Sequence, residues 1–160
     1  LDSAMVFEEL AWGDTAVAAY MSIHNMAGWM IGEYGSDALC KKYLPHMVSG
    51  EWLGSYCLTE PNAGSDAASL RTKADKQGDY YVLNGEKTFI SGAGSTDVLV
   101  VMARTGAAGP KGISAFVVDA HSAGIEYGKN EHKMGWKAQP SGRSPIGRQW
   151  TNRNEGFQDT

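Results

Sequence analysis

The chain has 160 residues, 42% of them hydrophobic, with 14 basic and 18 acidic side chains and a formal charge of −4. That length suits one domain, or two small pieces sharing a core. An acidic balance without a basic cluster argues against a nucleic-acid surface. The two cysteines, Cys40 and Cys57, lie outside any Cys-x-x-Cys spacing, which argues against a disulfide framework or zinc site and makes a reducing compartment the default.

Residues 1–53 read as helical from their apolar spacing. Met5, Val6, Leu10 and Ala11 mark one helix face that breaks at Gly13. Asp14 is placed to cap a second helix that runs to Tyr34 and stops at Gly35, and Ser36 to cap a shorter one through Tyr43, with Pro45 restarting the chain. The apolar run from Ala16 to Ile31 is interrupted by Ser22, His24 and Asn25, so it reads as a buried helix and not a membrane span. Leu1 opens directly onto amphipathic sequence with no signal or transit peptide, which reads as a trimmed start.

After Gly50 the period shortens. Residues 79–91 read as a hairpin, two strands flanking Asn84-Gly85, because that dipeptide favours the positive φ of a type I′ turn. Asp97 to Arg104 and Ile113 to Asp119 read as further strands, separated by the Gly/Pro-rich loop from Thr105 to Gly112, and residues 124–128 as a short additional one. The pattern predicts an α+β fold, N-terminal helices followed by a small antiparallel β-barrel or sandwich. Helices fill residues 1–53 and strands residues 54–140. The tail, 141–160, has three arginines and scattered apolar residues without a period; it reads as poorly structured and atypical.

The run from Tyr56 through Cys57, Leu58, Thr59, Glu60, Pro61, Asn62, Ala63, Gly64 and Ser65 to Asp66 concentrates hydroxyls, carboxylates and small residues in eleven positions. Thr59 and Ser65 offer hydroxyls, and Gly64 admits a ligand close to the backbone. By composition alone the run reads more readily as an ordinary loop at a helix-to-strand junction. Its residue order carries the information. The four histidines show no metal-ligand spacing, no Gly-x-Ser-x-Gly elbow is present, and Gly92-Ala93-Gly94 lacks both the third glycine and the following helix of a dinucleotide fingerprint. No metal site follows from the sequence.

In that order the string Cys57-Leu58-Thr59-Glu60-x-x-Ala63-Gly64-Ser65-Asp66 resembles the first signature of the acyl-CoA dehydrogenases, and Asn84-Gly85-x-Lys87-x-x-Ile90-Ser91 is similar to their second flavin loop. Ser22 to Met26, with Arg104-Thr105-Gly106 and Pro110 to Ser114, resembles the branch that acts on isobutyryl-CoA. The resemblance, over residues 1–140, implies an FAD enzyme whose flavin is lined by Tyr56, Cys57, Leu58, Thr59, Glu60, Gly64 and Ser65, and by Phe89, Ile90 and Ser91, with the Ser91 hydroxyl near flavin N5. Ser65 would also touch the acyl-CoA.

The implied reaction is α,β-desaturation of a short branched acyl-CoA, isobutyryl-CoA to methacrylyl-CoA, in valine catabolism, with electrons passing to electron-transferring flavoprotein. Such enzymes are homotetramers, in the mitochondrial matrix or a bacterial cytoplasm. Their catalytic glutamate lies in a C-terminal helical bundle that this sequence does not contain, so no catalytic residue is assigned; Glu60, Glu86, Glu126 and Glu131 are not candidates. The chain is expected to be a fragment, inactive alone. Two alternatives stand beside this: a flavin oxidase or monooxygenase of the same fold, and a non-catalytic remnant that pairs with full-length subunits.

Overall fold

The computed structural model describes the backbone through Asn152 and side chains through Ile146. Three helices come first: α1 (Asp2–Gly13), α2 (Thr15–Tyr34) and α3 (Asp37–Val48). Asp14 caps α2 as expected, its carboxylate accepting the Ala16 and Val17 N–H groups at 2.7 and 3.2 Å. The Ser36 hydroxyl accepts from Leu39 N–H at 3.3 Å and starts α3. Pro45 does not end that helix, which runs on to Val48. A proline deletes one hydrogen bond, and in the last turn there is little helix left to break.

Six strands follow: β1 (Gly54–Cys57), β2 (Lys73–Gln77), β3 (Tyr80–Ser91), β4 (Val98–Arg104), β5 (Ile113–Asp119) and β6 (Ser141–Asn152). They form one curled sheet in the order β1-β4-β2-β3-β6, with β5 on the other side of β4. Two pairings, β1 with β4 and β2 with β4, are parallel and not antiparallel; the long excursion through β2 and β3 supplies the crossover that a parallel pair needs.

Asn84-Gly85 is not a turn. Residues 80–91 form a single strand, and the hairpin lies one step earlier, between β2 and β3, at Gly78-Asp79. There only Gly78 takes positive φ (64°), the pattern of a type II′ turn. Gly85 serves close packing instead: a Cβ there would sit 2.7 Å from the Thr72 Cα.

The tail is also corrected. Ser141–Asn152 is β6, paired antiparallel with β3 from Ser91↔Ser141 to Tyr80↔Asn152; residues 153–160 lie outside the described residues. A long partner strand with open backbone groups imposes extended structure that the tail's own composition does not announce. The expected short strand at 124–128 reduces to a single bridge, Ile125↔Ile146.

Both faces of β4 are buried. Leu99, Val101 and Ala103 point into the curl of the sheet with Cys57, Leu83, Ile90 and Phe116. Val98 and Val100 point outward against Ala27, Ile31, Leu39 and Met47 of α2 and α3. This explains why the strand reads as a continuous apolar run and not as an alternation.

Candidate functional site

The loop after β1 rests on a buried ion pair. Lys87, on β3 and wholly inaccessible, places Nζ 2.8 Å from Glu60 Oε1. The same ammonium donates to the Leu58 carbonyl at 3.0 Å. Glu60 accepts two further hydrogen bonds, from the Arg71 and Thr72 N–H groups at 2.6 and 2.9 Å. Burial pushes the Glu60 carboxyl up, but the bonds from Lys87, Thr72 and Arg71 outweigh it and hold the group below the usual carboxylate range. Burial pushes the Lys87 ammonium down, with Glu60 pulling it back. Glu60 is therefore a charged structural anchor.

Above this anchor two loops meet. The Thr88 N–H donates to the Thr59 carbonyl at 2.9 Å, and the Ser55 hydroxyl donates to the Ser91 carbonyl at 2.5 Å. Glu60 and Ala63 exchange backbone hydrogen bonds of 3.0 and 3.1 Å, closing the turn that carries Pro61 and Asn62. Between Lys87↔Ser144 and Ile90↔Gly142, β3 advances three residues while β6 advances two. The extra residue is a β-bulge. At this bulge Phe89 adopts φ +56° and stands 66% exposed, a left-handed conformation that is strained for an aromatic residue.

The ten expected site residues divide by what they present. Thr59 and Ser91 are half-buried, and Gly64 and Ser65 are exposed. Among the described residues the hydroxyls of Thr59, Ser65 and Ser91 enter no hydrogen bond, so all three are open to a ligand. Tyr56 and Leu58 are half-buried. Cys57 and Ile90 are sealed in the core inside the sheet, so only their backbone faces the loops. Burial pushes the Cys57 thiol up to about 12 against the pull of Lys87, which makes it an inert thiol and not a nucleophile or a metal ligand. Among the described residues no group of three or more His, Cys, Asp or Glu could hold a metal ion.

Between α2 and α3 lies a groove of about 640 Å³, lined by Tyr20, Met21, His24, Gly28, Trp29 and Met47 among others. His24 forms part of its wall. Its Nδ1 accepts the Gly54 N–H at 3.1 Å, so the proton sits on Nε2, which donates to the Met47 carbonyl at 3.1 Å. The Tyr20 hydroxyl, buried and without a partner, reaches the Gly92 turn at the end of the second loop. Burial, with Asp97 adding, pushes its phenol up to about 12. Tyr20 thus joins the wall of the groove to the second loop.

Sequence reasoning gave Lys87 no role. The signal was its parity: on β3 it falls on the same face as Leu83, a core position. A lysine there needs a buried counter-charge.

Comparison with known proteins places the chain. The family model "Acyl-CoA dehydrogenase, N-terminal domain" matches residues 1–51, and "Acyl-CoA dehydrogenase, middle domain" matches residues 55–146. The mitochondrial isobutyryl-CoA dehydrogenase of Dictyostelium discoideum is 48% identical over 98% of this chain and 40% of its own length. That of Bos taurus is 52% identical over 88% of this chain and 34% of its own length. A glutaryl-coenzyme A dehydrogenase solved as its glutaryl-CoA complex superposes with a TM-score of 0.92 and 38% identity, over 96% of this chain and 40% of that one. The chain spans 34% to 40% of the length of these three relatives.

Proposed function

The chain belongs to the acyl-CoA dehydrogenase family, and on that premise we propose that it forms the flavin-facing part of an FAD-dependent enzyme that desaturates a short branched acyl-CoA. Isobutyryl-CoA is the proposed substrate and methacrylyl-CoA the product, following the names of the two curated relatives above.

One observation carries this reading. Two loops, tied by the Thr88 to Thr59 hydrogen bond, bring unused hydroxyls beside an aromatic residue that a bulge turns outward. That donor set fits a flat, polar heteroaromatic ring: hydroxyls and main-chain amides for its heteroatoms, and Phe89 for its edge. When bound, FAD takes the β-hydrogen of the acyl chain as hydride. Thr59 and Ser91 would donate to the ring and stabilise the negative charge it gains. Ser65 and Gly64 would meet the phosphate-bearing parts of the ligands, and the groove at Tyr20 and His24 would take the acyl chain.

Glu60 is not the base for the α-proton, because its carboxylate is committed to Lys87, Arg71 and Thr72. That proton goes to a carboxylate outside these loops. Electron-transferring flavoprotein as acceptor, a homotetramer and a mitochondrial matrix location complete the proposal.

Flavin fluorescence on titration of FAD into the purified chain tests the binding half, and dye reduction with isobutyryl-CoA tests turnover. Weak but saturable quenching is expected, reduced in Ser91→Ala, with no dye reduction by the 160-residue chain alone. Absence of saturable binding refutes the flavin reading; robust turnover shows that a base lies within this chain.

A further inference from the structure

We propose that Lys87 is a positioning residue that sets how strongly the Leu58–Thr59 peptide donates to a bound flavin, and thereby sets the flavin's redox balance. The inference rests on the flavin reading above.

Lys87 reaches two acceptors, the Glu60 carboxylate at 2.8 Å and the Leu58 carbonyl at 3.0 Å. The second contact is the informative one. A carbonyl bonded to a cation polarises its whole peptide, and the far end of that peptide is the Thr59 N–H. Thr59 belongs to the rim where the two loops meet, its own carbonyl held by Thr88. The ammonium cannot drift away from this contact. Glu60 is pinned by the Arg71 and Thr72 N–H groups, and Lys87 is fixed in β3 by its register with Ser144.

No other cation is available nearby in sequence: residues 56–66 and 88–92 contain no lysine or arginine. Lys87 acts on the rim through its direct bond to the Leu58 carbonyl, a contact kept out of water. Reduction of a flavin adds negative charge to its ring, so a polarised donor facing that ring favours the reduced form. A buried ammonium needs acceptors for its protons; the informative point is that one acceptor is the carbonyl of a peptide whose N–H belongs to the rim.

The test is the midpoint potential of bound flavin, read by equilibration with a reference dye, in the FAD-loaded wild type and in the double variant Glu60→Gln/Lys87→Met. Glutamine keeps one of the two acceptor oxygens that Arg71 and Thr72 use, and methionine keeps the volume without the charge. The expected result is a fall of about tenfold in the reduced-to-oxidised ratio at fixed potential, about 30 mV for this two-electron couple. A ratio within about twofold of wild type, roughly 9 mV on the same scale, overturns the proposal.

If the double variant does not fold, Glu60→Gln alone serves. It leaves the buried ammonium without its counter-charge, and a change of about threefold or more in the ratio is expected; an unchanged ratio again overturns the proposal. A wild-type chain that takes up no FAD sinks the flavin reading and this proposal together. A wild type that binds FAD, with variants of unaltered potential, sinks this proposal alone.

Discussion

Phe89 spends conformational energy to stand where it does. A bulky residue at φ +56° carries strain of roughly 1–3 kcal/mol, and its exposed ring recovers little of that by burial. Strain held at an exposed position, on a bulge beside two free hydroxyls, is best explained by a ligand. Phe89→Gly is therefore expected to leave chemical-denaturation stability unchanged or raise it by up to about 1 kcal/mol, while weakening FAD binding several-fold. A variant that lost stability and kept its affinity would assign Phe89 to folding.

Glu60 gives the acid limb of stability a specific source. Its folded carboxyl binds a proton more weakly than the unfolded one, so the unfolded state takes up the proton first as pH falls. Its contribution is present above the unfolded carboxylate value and is lost as pH drops through the folded value. Glu60→Gln is expected to be less stable than wild type at neutral pH and to show a shallower decline on acidification. Urea midpoints from neutral pH down to the acid transition check this; parallel declines would remove Glu60 as the cause.

At the scale of elements, Gly85 separates two meanings of glycine. As half of an Asn-Gly pair it reads as a turn, yet it lies mid-strand because Thr72 approaches too closely for any side chain. Gly85→Ala must push the Thr72 backbone, whose N–H holds Glu60, and is expected to cost roughly 2–3 kcal/mol. Asp14→Ala removes only a cap and is expected to cost about 1 kcal/mol. Thermal unfolding of the two variants ranks them, and the reverse order would return Gly85 to the role of a simple turn former.

The same contrast shows what was legible in the sequence. Asp14, Gly35, Ser36 and the strand Ile113–Asp119 act through local chemistry, and each lies where the sequence places it. Gly85 and Ser141–Asn152 answer to distant partners, Thr72 and β3. A local signal cannot reveal a non-local partner. The site divides the same way, since the order of the 56–66 loop was visible while the anchoring role of Lys87 depends on Leu58 and Glu60 meeting it in space.

Across the whole molecule, stability is graded outward from β4. That strand contributes Leu99 and Val101 to the core inside the sheet and Val98 and Val100 to the core beneath the helices, all fully inaccessible. α2 and α3 dock on it through Ala27, Ile31, Leu39 and Met47, whereas α1 buries none of its residues and leaves Trp12 exposed. A helix of 12 residues whose inner face, Phe7, Leu10 and Ala11, is only half-buried is marginal by itself. Local opening free energies should therefore run from near zero in α1, through α2 and α3, to the global value in β4. Native-state hydrogen exchange of the 160-residue chain reads this order directly. Leu99→Ala, expected to cost about 2–5 kcal/mol, should speed the slowest amides throughout the molecule, while Met47→Ala should loosen α2 and α3 before the sheet. Protection of α1 equal to that of β4 would mean that a surface outside these contacts holds it, and the graded picture would fail.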